Sequence, residues 1–98
     1  MREIEIVIPD YHPFNQKFVT QMPLPPGMPA IYKVSGKSCG CTSFHPTVSG
    51  KAFTLAIDPV EKTELMGNTA QKKVAVELLH ETGEKTKLTF TLNLSTTA

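Results

Sequence analysis

The last third of the chain reads KKVAVELLH, then ETGEK, then TKLTFTLNLS, and in both longer runs an apolar residue recurs at every second position. A period of two places successive side chains on opposite faces of a strand, so Val74, Val76 and Leu78 share one face and Leu88, Phe90, Leu92 and Leu94 another. The short glycine-containing connection between them is a hairpin signal. The spacing therefore predicts a β-hairpin over 72–95 with Val74, Val76, Leu78, Leu88, Phe90 and Leu92 buried. Half-buried alternation of this kind belongs to antiparallel sheet with one wet face.

The same period recurs upstream. Ile4, Ile6 and Ile8 face one way in REIEIVI, and Phe53, Leu55 and Ile57 do so in KAFTLAID. AIYKVS reads as a further strand, with Ile31 and Lys33 on one side and Tyr32 and Val34 on the other. MPLPPGMP holds four of the eight prolines. Proline lacks the N–H a ladder needs, so the segment 23–29 is expected to be extended and at an edge or outside the sheet. The polar connection between Asp58 and Lys72 has room for one helical turn around Val60 to Met66, but not for a packed helix. Short strands with turns every 8–12 residues predict an all-β fold: a single domain over 1–98, built as a small antiparallel immunoglobulin-like β-sandwich.

Composition narrows the function classes. Ten basic and nine acidic residues leave a net charge of +1, without the basic stripe expected of a nucleic-acid binder. Lys72 and Lys73 are expected near Lys85 and Lys87 across the hairpin, diluted by Glu77, Glu81 and Glu84. MREIEIVIPD alternates charge with apolar residues and lacks the continuous apolar run of an export signal. The expectation is synthesis on the cytosolic side, no membrane, no nucleic acid and no cofactor. Gly36, Gly40 and Gly50 do not form a phosphate-binding fingerprint.

The run SCGCTSFH, from Ser38 to His45, contains both cysteines of the chain. In an extended strand residues two apart lie near the upper limit of a bridgeable Cα separation, and so short a ring constrains the unfolded chain little. A stable disulfide is therefore not expected. Cys39, Cys41 and His45 offer three metal ligands from one segment, short of the four that structural zinc requires unless His12 or His80 joins them. Catalysis by a thiol pair lacks an electropositive helix terminus and a positioned base. The expectation is two free, inert thiols entering the core side by side, with Gly40 facing out.

Ser38 to Thr42 resembles the SCGCT run of a bacterial domain-of-unknown-function family whose members carry that motif in an immunoglobulin-like β-sandwich. The similarity extends over residues 31–94, where alternating strands follow. VSGKA stands where members often have a Pro-Gly step, and the export signals common among them are absent here. The resemblance implies the sandwich fold and no catalytic activity.

These readings combine into a non-enzymatic structural or interaction module, such as a small accessory or decoration protein of a larger assembly, for example a phage virion. Its partner is expected to be protein, with a second copy of the chain among the candidates. Phe14, Phe18, Met22, Leu24 and Met28, in the stiffened segment 9–29, are the expected docking anchors. The alternative is a metal- or thiol-binding protein using Cys39, Cys41 and His45. His12 and His45, each before a proline, are expected in turns or at strand ends, packing on nearby aromatics.

Overall fold

The computed structural model describes residues 1–47 and 50–98. Among the described residues seven strands follow one another: β1 (Arg2–Pro13), β2 (Phe18–Pro23), β3 (Ile31–Lys37), β4 (Thr42–Pro46), β5 (Ala52–Ile57), β6 (Thr69–His80) and β7 (Lys85–Ser95), with a 3-10 turn at Glu64–Met66. They form two sheets, one of four strands in the order β1-β7-β6-β3 and one of three in the order β2-β5-β4. The two sheets pack as a β-sandwich. The three-stranded sheet and the β7-β6-β3 portion of the other have the strand order of an immunoglobulin-type domain, with the first strand moved beside the last.

The hairpin over 72–95 forms in the expected faces: Val74, Val76, Leu78, Leu88, Phe90 and Leu92 are all at most 1% exposed. Its turn closes with the Gly83 N–H donating to the His80 carbonyl at 3.0 Å and the His80 N–H donating to the Glu84 carbonyl at 2.9 Å. Gly83 takes φ +89° there, a backbone conformation that side-chain-bearing residues rarely adopt. From the opposing sheet Phe53, Leu55 and Ile57 are completely buried, and Phe44 joins them from β4. Phe53 is the bridge between layers, stacking on Phe44 at 4.7 Å and meeting Phe90 of β7 at 5.7 Å.

Three expectations change. β1 runs parallel to β7, in register from Arg2 opposite Thr86 to Ile8 opposite Leu92, so the sheet is not purely antiparallel. Two irregularities interrupt β3, between Ile31 and Lys33 and between Val34 and Gly36. A bulge adds one residue and resets the alternation. Ile31 and Val34 thus both pack on the core while Tyr32 and Lys33 face solvent. In the hairpin Lys72 and Lys73 lie opposite Leu92 and Thr91, and it is Glu77 that stands opposite Lys87. No lysine cluster forms across it.

The largest correction concerns the cysteines. Cys39 and Cys41 are not free thiols: they are joined to each other in a disulfide, with Cα atoms 5.2 Å apart. The expectation assumed an extended strand. The pair instead occupies the tight connection between β3 and β4, where the Thr42 N–H reaches back to the Cys39 carbonyl at 3.3 Å. That turn draws the two Cα atoms well inside bridging range. The loop closed is so small that its entropic contribution is about 1.5 kcal/mol. Replacing both cysteines by serine should lower unfolding free energy by about 1–2 kcal/mol and leave the fold intact. Denaturant unfolding of the oxidised protein and the double variant measures this directly. An unfolded variant would show that the bridge organises more than its own turn.

Candidate functional site

Five residues expected to dock a partner point the other way. Phe14 is core, 7% exposed. Phe18, Met22, Leu24 and Met28 are half-buried and pack against the same core. In β2 the alternation places Phe18, Thr20 and Met22 inward and Val19, Gln21 and Pro23 outward. The segment 9–29 thus contains a strand that the proline-rich reading did not separate out. Its apolar side chains close the edge of their own sandwich, and the side chains on offer to a partner are the intervening ones.

The metal alternative meets the same difficulty. Both sulfurs are bonded to each other, and His45 lies on the outward face of β4, opposite Thr54. His12 lies near the end of β1, opposite Leu94, and its Nε2 reaches over the following turn to the Gln16 carbonyl at 2.8 Å while the ring meets Phe18 edge-on at 5.2 Å. That ring-on-aromatic packing matches expectation. His80 is buried at 2% exposure, with Nε2 hydrogen-bonded to the Thr86 hydroxyl at 2.7 Å. The structure brings none of the three histidines to the cysteines, and among the described residues no group of three His, Cys, Asp or Glu could hold a metal ion.

The two outer faces of the sandwich differ sharply in charge. On the four-stranded sheet Glu3, Lys87, Glu77 and Lys85 form a band of alternating sign, with Lys85 3.4 Å from Glu77 and Lys87 4.0 Å from Glu3. A shallow depression of about 450 Å³ beside this band is lined by Gly36, Lys37, Ala75 and Glu77 among others. Its Lys37 ammonium already donates to the Thr42 carbonyl at 2.8 Å.

The outer face of β2-β5-β4 has no Asp, Glu, Lys or Arg. Register sets its side chains in rows: Val19, Ala56 and Ser43 in one, Gln21, Thr54 and His45 in the next, and Pro23 beside Ala52 at the end. Val19 is 59% exposed there. Charges return at the strand ends, with Lys17 before β2, and Lys51 and Asp58 flanking β5. The face thus has an uncharged centre inside a charged border.

This face was present in the sequence as a gap in charge. From Phe18 to Tyr32, and again from Ser38 to Gly50, no Asp, Glu, Lys or Arg occurs. No protein-family model matches this chain, and no curated protein or solved structure matches it.

Proposed function

We propose that the protein is a non-enzymatic interaction module that attaches to a larger protein assembly through the outer face of β2-β5-β4. The observation that carries this reading is the charge-free face itself, in a chain with nineteen charged residues (ten basic and nine acidic). Removing charge from a wet sheet face sacrifices solubility without strengthening the fold, whereas it lowers the desolvation cost of docking.

Size decides what kind of docking this is. Strands of five or six residues span about 20 Å, and three of them side by side cover 10–15 Å. The flat centre is thus about 250 Å², against about 800 Å² per partner in a standard stable interface. One copy binds weakly. Many copies on a repetitive assembly gain from linked attachment, which is the situation of an accessory or decoration protein, for example on a virion. The bonded cysteine pair supports that setting, because disulfides persist on virion and cell surfaces but are kept reduced in cytosol.

The test is co-sedimentation of the tagged protein with particles or large complexes from its native source. Val19→Asp combined with Thr54→Lys should shift it at least tenfold toward the free fraction, with melting temperature unchanged. Wild-type protein found only in the free fraction, or a double variant that sediments like wild type, refutes this reading.

A further inference from the structure

We propose that the free edge of β1 pairs with β1 of a second copy, antiparallel about a two-fold axis at Ile6, so that two four-stranded sheets become one continuous sheet. The sandwich has four edge strands: β1, β3, β2 and β4. An exposed edge presents unpaired N–H and C=O groups, and soluble proteins blunt it with bulges, prolines or brevity. β3 is broken twice in register, β4 has five residues and ends in Pro46, and β2 has six and ends in Pro23. The first part of β1 carries charge at Arg2, Glu3 and Glu5 but has no bulge, no proline and no shortening. It runs from Arg2 to Ile8 in unbroken register, and its irregularity begins only beyond Ile8.

The inner side of this edge is also unfinished. Ile4 and Ile6 face the core but are only half-buried, whereas Leu88 and Phe90, their neighbours on β7, are completely buried. A strand added beside β1 would cover them.

The sequence of the edge selects its occupant. Inner and outer faces stay matched across a two-fold only when the axis passes through a residue position. An axis at Ile4 sets Glu3 against Glu5 of the second copy, twice over, and an axis at Glu5 sets Glu5 against itself. Like charges directly opposite each other destabilise a sheet. An axis at Val7 leaves only Ile6 to Ile8 paired before the bulge. At Ile6 every pair is compatible: Ile4 meets Ile8, Ile6 meets Ile6, and Glu5 meets Val7. A self-complementary patch of this kind makes a closed two-fold dimer. The dimer leaves the β2-β5-β4 face open, so it would present two such faces together.

Sedimentation equilibrium of the purified chain, from low micromolar to several hundred micromolar, tests this. Wild type should be in monomer–dimer equilibrium. Val7 is 61% exposed, so its substitution leaves the core untouched. Val7→Glu places the new carboxylate opposite Glu5 of the second copy at two symmetric positions and should weaken the dimer about tenfold. Adding Glu5→Lys to Val7→Glu makes both positions attractive and should restore it. Circular dichroism melts of dilute samples confirm that each variant folds. A wild type that stays monomeric throughout, or a dimer indifferent to Val7→Glu, overturns the proposal. Because no assembly partner is present, the result is independent of whether the β2-β5-β4 face docks.

Discussion

Phe90→Ala should cost about 3–5 kcal/mol of unfolding free energy, the range for truncating a fully buried aromatic ring. Phe90 is completely buried, and its ring meets Phe53 at 5.7 Å, which in turn stacks on Phe44. These three rings come from β7, β5 and β4, so together they span the gap between the sheets. The loss combines two terms: the transfer free energy of the removed ring and a cavity that rigid strands on both sides cannot close. Domains of this size are stable by only about 5–15 kcal/mol, so the variant gives up about a fifth of the total or more. Thr91→Ala, one position along and on the opposite face, should stay within about 0.5 kcal/mol. Urea or guanidinium unfolding of both variants measures the contrast. A loss below about 1 kcal/mol at Phe90 would contradict its placement between the sheets.

That contrast between neighbouring positions is what alternation encodes well. Period two fixes which face a side chain occupies, and burial of Phe53, Leu55, Ile57 and the hairpin residues follows from it. It does not fix which strand lies alongside. β1 and β7 are at opposite ends of the chain, and nothing in REIEIVI specifies a parallel neighbour. In β3 the alternation itself is broken, because a bulge at Tyr32 turns Ile31 and Val34 to the same side. The cysteine pair departs from expectation for a related reason. Extended geometry does not hold in a connection where the backbone turns, and a change in Cα separation of only an ångström or so separates an unfavourable bridge from an easy one. The charge-free face of β2-β5-β4 is hard to read from sequence because its signal is depletion. The apolar side chains of the segment 9–29, expected as docking anchors, belong to the fold instead: Phe14 is buried in the core and Phe18, Met22, Leu24 and Met28 pack against it.

The alternation of β6 also runs one step past the apolar residues, to His80, and the second large effect is expected there. His80 ends β6 and is buried at 2% exposure, Thr86 likewise on β7. Its Nε2 and the Thr86 hydroxyl are 2.7 Å apart, while Nδ1 has no hydrogen-bond partner among the described residues. The Thr86 hydroxyl therefore supplies the one hydrogen bond the ring makes. Thr86→Val keeps the shape and removes the hydroxyl, leaving both ring nitrogens buried without a partner, and should cost about 1–3 kcal/mol. His80→Leu in the Thr86→Val background removes the stranded polar atoms as well. Replacing both members of a buried polar pair by apolar groups of similar size is nearly neutral, so the double variant should recover most of the loss. The four proteins form a double-mutant cycle, and residues in direct contact are expected to couple by about 0.5–3 kcal/mol. Denaturant unfolding supplies all four free energies. Additive costs would show that the hydroxyl does not satisfy the imidazole, and that His80 is held by packing instead.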